Sequence, residues 1–153
     1  MKKIAIICYL VLLTAAAKSQ EPVWNNSLDK AIESSSKAGK PILLFFTGSD
    51  WCGWCKRLQA EVFSKPEFTS WAAANVVLME VDFPRRTQLE PEIQNQNNQL
   101  QQFFGIQGYP TIWFVNASKK DGKINFEKLG STGYLYGGPT AWLNAANSIL
   151  KNK

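Results

Sequence analysis

Ile42-Leu43-Leu44-Phe45-Phe46-Thr47-Gly48-Ser49-Asp50-Trp51-Cys52-Gly53-Trp54-Cys55-Lys56 is the stretch whose reading decides the fold. Ile42 to Thr47 is a continuous apolar run of strand length, which suits a central strand buried on both faces. Gly48-Ser49-Asp50-Trp51 reads as a turn. A helix then starts near Cys52, with Cys55, Leu58 and Val62 on one face at i, i+3, i+7. The two cysteines therefore sit at a strand-to-helix junction. Their spacing lets one thiolate attack a disulfide and the other resolve the mixed disulfide.

Elimination supports that reading. The chain has no histidine and three cysteines, and the third, Cys8, lies in a segment expected to be removed. A structural zinc site needs four Cys or His ligands, so no metal is expected. A c-type haem site needs His after the second cysteine, where this chain has Lys56. A Cys-His nucleophile pair is impossible. The competing reading is a pair of buried, unreactive cysteines.

The N-terminus reads as a secretory signal over residues 1–19, leaving one domain over residues 20–153. Lys2-Lys3 is the positive region, and Ile4 to Leu13 is an apolar run too short to span a bilayer. Ala15-Ala16-Ala17 and Ala17-Lys18-Ser19 offer cleavage sites. A retained short anchor is the alternative. Cys8 follows Ile7 rather than a small residue and sits too early for a lipoprotein site. Cleavage lowers the net charge from +5 to about +3 or +2, by loss of Lys2 and Lys3 and then of Lys18. Arg85-Arg86 and Lys119-Lys120 read as solvated loop charges, so nucleic-acid binding is not expected. Export implies an oxidising compartment. A CxxC loop is too short to be much of a structural staple, which leaves redox chemistry as its use.

The order along the chain is alternating β and α. Val23-Trp24 is a short first strand. Ser27 caps a helix that buries Leu28, Ala31, Ile32 and Ser35, and Gly39 stops it. The helix after Cys52 ends near Phe63. Ser64 with Glu67 then reads as a capping box, with Phe63 and Phe68 as a hydrophobic staple. Val76 to Asp82 is a strand. The Asn/Gln-rich segment that follows reads as a solvated face, and Ile93, Leu100 and Phe104 keep helical spacing. Thr111 to Val115 and Ile124 to Leu129 form a hairpin around Asp121-Gly122. Pro139 opens a last helix carrying Trp142, Leu143, Ala146, Ile149 and Leu150.

This order, with CxxC after the central strand and Gly108-Tyr109-Pro110-Thr111 before the hairpin, resembles the thioredoxin superfamily. The resemblance covers about Val23 to Leu150. Phe45 to Cys52 and Glu80-Val81-Asp82-Phe83-Pro84 are similar to exported DsbH-type disulfide reductases. Cys55-Lys56 through Phe63-Ser64 resembles the C-terminal domain of DsbD. The resemblance implies an α/β thioredoxin fold, a central mixed β-sheet flanked by helices, in a single domain. It implies Cys52 as the exposed nucleophile at the helix N-terminus and Cys55 as the buried resolving thiol. Pro110 matches the family's cis-proline, which presents backbone to substrate. Trp51, Gly53, Trp54 and Tyr109 would rim the contact surface, and Gly133-Tyr134 resembles the loop closing the other side.

Two departures stand out. Thioredoxins carry a buried Asp six residues before the first cysteine, paired with a Lys on the next strand. Here the counted positions are Phe46 and Leu78, with Glu80 as a candidate substitute proton acceptor and water alone as the alternative. Gly-Trp also replaces Gly-Pro between the cysteines.

The expected function is that of an exported, periplasmic thiol-disulfide oxidoreductase, reducing oxidised proteins without a bound cofactor. A monomer is expected, with a DsbD-type membrane electron donor as partner. An oxidase or isomerase is the alternative within enzymes. A redox-silent peptide-binding module using Trp51, Trp54 and Tyr109 is the alternative outside them.

Overall fold

The computed structural model describes residues 21–151. The expected signal segment, residues 1–19, and Cys8 lie outside them.

Five strands form one mixed sheet in the order β1-β3-β2-β4-β5. They are β1 (Trp24–Asn25), β2 (Ile42–Thr47), β3 (Val77–Asp82), β4 (Thr111–Lys120) and β5 (Lys123–Thr132). β1 and β2 run parallel to β3, whereas β4 is antiparallel to both β2 and β5. Every residue of β2 is buried, as its apolar run requires. The helices are α1 (Leu28–Ala38), α2 (Gly53–Leu58), α3 (Pro66–Asn75), α4 (Pro91–Phe104) and α5 (Gly138–Lys151).

Strand alternation divides the core into two layers. Leu43 and Phe45 of β2 join Leu78, Ile112 and Phe114, together with Phe68 and Ala72 of α3 and Trp142 and Ala146 of α5. Both Cys52 and Cys55 belong to this layer. Ile42, Leu44 and Phe46 point the other way, toward Ala31 and Ile32 of α1 and Leu100 and Phe104 of α4. Each fully buried Leu or Phe contributes about 1.5–3 kcal/mol. The Trp24 ring lies between Phe45, Phe63 and Phe68, at centroid distances of 5.7, 5.4 and 6.3 Å.

Four local expectations need correction. Ser64 does not cap α3. Pro66 occupies the first turn and the N-cap is Lys65, held extended at φ −88°, ψ 145°. A residue before proline is driven out of the helical region, so the helix cannot start earlier. Ser64 instead closes a π-helical turn over Gln59–Phe63, donating its amide to the Gln59 carbonyl at 2.9 Å. The staple contact survives, with Phe63 and Phe68 rings 4.5 Å apart.

Ser27 stands at the N-cap of α1 without a side-chain cap bond. The Leu28 amide donates to Gln96 Oε1 at 2.8 Å. Asn97 is buried and donates to the Asp82 carbonyl at 2.9 Å. Part of the Asn/Gln-rich stretch is thus internal wiring rather than a solvated face.

The hairpin strands also run longer than expected. Asp121 and Gly122 both have positive φ, 51° and 74°. A turn of that hand matches strand twist and lets the ladder extend. Lys119 lies in β4 and pairs with Asp29 of α1 at 2.8 Å.

Candidate active site

The site starts where β2 ends. Gly48 is buried, and the Trp51 indole lies where a Cβ would stand. Only glycine lets the turn fold its tryptophan back onto the chain. The Cys52 amide donates to the Gly48 carbonyl at 2.8 Å, and the Lys56 amide donates to the Cys52 carbonyl at 3.1 Å. Cys52 is the N-cap of α2, and its Sγ accepts the Cys55 amide at 3.1 Å. Cys52 and Cys55 form a disulfide across a Cα–Cα distance of 5.3 Å.

Cys52 is not openly exposed. It is 5% accessible and Cys55 1%, because Trp51, Tyr109 and Tyr134 pack against the layer that holds them. Cys52 remains the more accessible of the two.

The floor beneath the disulfide is apolar, though not through the residue that counting selects. Phe46 lies on the opposite face and packs on Phe104. Phe45 shares the cysteine layer and meets Phe63 edge-on at 5.1 Å. Alternation along β2 decides the matter, and a residue count across the turn does not. Leu78 does share that layer. The buried polar side-chain atom without a hydrogen-bond partner among the described residues is Thr47 Oγ1.

Glu80 pairs with Phe45 in register. It opens into a cleft of about 460 Å³ lined by Trp24, Gln59, Phe63 and Ser64, whose walls include neither cysteine. Burial, with a smaller contribution from Asp82, pushes the Glu80 carboxyl above its ordinary range. A raised folded-state value makes the folded protein hold the proton more tightly than the unfolded chain does. Stability is therefore lost as pH rises from the ordinary carboxylate range through the raised value. Glu80→Gln is expected to raise the melting temperature at about pH 7 and to lose that advantage below about pH 4. Thermal unfolding at the two pH values checks this; an equal gain at both would refute it.

Two aromatic flanks frame the disulfide. On one, Trp51 Nε1 donates to the Phe83 carbonyl at 2.7 Å, and the Trp51 ring meets Tyr109 edge-on at 5.6 Å. The Arg85 guanidinium lies over Trp51 at 3.9 Å. The Asp50 carboxylate accepts the backbone amides of Arg85 and Arg86, at 3.0 and 2.6 Å. The Arg85 amide foremost holds that carboxyl below its ordinary range. Lys56 Nζ donates to the Asp50 carbonyl at 3.1 Å.

On the other flank, Trp54 is 48% exposed and lies 5.1 Å from Tyr134. Arg57 sits within 6 Å of Trp54, Tyr134 and Tyr136 and pairs with Glu61 at 2.6 Å. Tyr134 donates to Glu61 at 2.5 Å. Gly53 is exposed and Tyr109-Pro110 is a cis peptide. Gly133 brings the loop after β5 beside the Pro110 carbonyl. The structure thus joins Trp51 to Tyr109 and Trp54 to Tyr134. Sequence reading missed Arg85, Arg57, Glu61 and Tyr136. Arg57 and Glu61 carried a readable i, i+4 spacing; Arg85 carried none.

Among the described residues no helix is long and apolar enough to cross a membrane, and no metal-binding group of three or more His, Cys, Asp or Glu occurs. The thioredoxin-like domain family matches residues 28–135. The chain belongs to the thioredoxin-like family. Within it, the chain is 38% identical over 138 residues to the disulfide bond reductase DsbH of Chlamydia pneumoniae, covering 90% of this chain and 76% of that protein. A solved DsbH oxidoreductase superposes with a TM-score of 0.76 at 32% identity, over 88% of each chain. The oxidised C-terminal domain of DsbD from Neisseria meningitidis shares the fold, with a TM-score of 0.52 at 22% identity over 84% of this chain and 98% of that one. This thioredoxin-like protein is a thiol-disulfide oxidoreductase similar to DsbH.

Proposed function

We propose that the protein is an exported protein-disulfide reductase of the cell envelope. The observation that carries this is the Cys52–Cys55 pair capping α2 above an apolar floor, with no histidine in the chain. In the reduced protein the Cys52 thiolate attacks a substrate disulfide and expels one substrate thiolate, forming a mixed disulfide. Cys55, deprotonated, attacks Cys52 Sγ, which releases the second substrate thiol and regenerates the Cys52–Cys55 disulfide. Two electrons pass to the substrate, and a dithiol donor must return them. A membrane protein of DsbD type fits that role. The helix N-terminus and the Cys55 amide stabilise the Cys52 thiolate. Trp51, Gly53, Trp54, Tyr109 and Pro110 form the surface that receives the substrate segment.

Export is supported by Lys2-Lys3, the apolar run and the small residues that follow it. N-terminal sequencing of protein from the cell envelope is expected to begin at Lys18 or Gln20. An intact Met1 on protein recovered from the cytoplasm would overturn the envelope assignment.

A further inference from the structure

Arg85, Arg86 and Lys56 gather on the Trp51 flank of the disulfide. All three are exposed, and none forms an ion pair among the described residues. The two nearby carboxylates keep their charge, with the Arg85 amide foremost and Arg86 helping to hold the Asp50 carboxyl low. Their hydrogen bonds go to other donors, however, and neither grips the Arg85 guanidinium. Asp50 accepts the Arg85 and Arg86 amides, and Asp82 accepts the Ser49 amide and hydroxyl at 2.8 and 2.5 Å. The opposite flank differs, because its cation, Arg57, is already paired with Glu61.

Arg85 is also pre-organised. Its guanidinium rests at 3.9 Å on an indole that is itself fixed through the Phe83 carbonyl. A stacked guanidinium keeps its in-plane N–H groups free for a carboxylate and loses little further entropy on gripping one. The indole beneath it belongs to the residue next to the nucleophilic cysteine.

We propose that Arg85 is a carboxylate-binding specificity residue. The protein segment that exchanges with Cys52 carries Asp or Glu within a few residues of its own cysteine. Arg86 and Lys56 extend the cationic edge that draws it in. The inference rests on the reductase reading and adds the chemical class of the partner segment.

The test uses three disulfide-bonded peptides that differ only in having Glu, Gln or Lys beside the cysteine. Reduction by the full protein is expected to favour the Glu peptide over the Lys peptide by about tenfold in kcat/KM, as electrostatic steering allows. The ratio should shrink between about 0.05 and 0.5 M salt as screening sets in. Arg85→Gln keeps the backbone amide that Asp50 accepts, and is expected to cut the ratio to about threefold or less, the value of one exposed charge pair or so. Arg85→Lys should restore part of it.

Equal rates for the Glu and Lys peptides, or an unchanged ratio in Arg85→Gln, would overturn the proposal. An altered equilibrium potential in Arg85→Gln with the ratio intact would also overturn it, in favour of tuning at Cys52. Failure to reduce any peptide, Gln included, would remove the reductase reading and this inference with it. Full reduction without discrimination would remove the inference alone.

Discussion

Cys52→Ser is expected to abolish catalysed reduction of insulin disulfides by dithiothreitol, a loss of about three orders of magnitude or more, as for removal of a nucleophile elsewhere. Cys55→Ser should behave differently. It keeps the first attack and lacks the resolving one, so it accumulates mixed disulfides visible on non-reducing gels. The asymmetry follows from position. Cys52 caps α2 and is the more accessible sulfur, while Cys55 lies within the helix at 1% accessibility. Trapping by Cys52→Ser and none by Cys55→Ser would reverse the two roles.

The equilibrium potential is expected closer to thioredoxin's value of about −270 mV than to the DsbA value of about −120 mV. A strong oxidant stabilises its nucleophilic thiolate heavily. Here the stabilisers are the start of α2 and the Cys55 amide, without any histidine. Phe45 and Leu78 leave the floor apolar, which disfavours charge. The difference of about 150 mV corresponds to about 7 kcal/mol for a two-electron couple. Titration of tryptophan fluorescence in glutathione buffers resolves it, because Trp51 and Trp54 adjoin the cysteines. A value above about −160 mV would favour an oxidase or isomerase. Trp54→His should move the potential upward.

Much of this was legible in the chain. The run from Ile42 to Thr47 announced a doubly buried strand, and CxxC at its end announced the chemistry. Both rest on local period and spacing, which the sequence carries directly. What escaped reading was set by partners far along the chain. Arg85 meets Trp51 only because β3 ends beside β2 and sends its loop over the turn. Gln96 caps α1 from 68 residues away. The Phe45/Phe46 assignment failed for a third reason. A count back from Cys52 crosses the Gly48–Trp51 turn, whose length is free to vary, whereas the pleat of β2 is not.

Trp24 sets how far the N-terminus could be shortened without loss to the core. Its ring fills the space between Phe45, Phe63 and Phe68 although its strand is only two residues long. On the proposed export, cleavage after Ala17 or Ser19 would spare the ring, whereas any shortening beyond Trp24 would remove part of the core. The proposed cleavage sites and Trp24 are a handful of residues apart, so the proposed maturation and the integrity of the aromatic layer would be bound to one short stretch of chain.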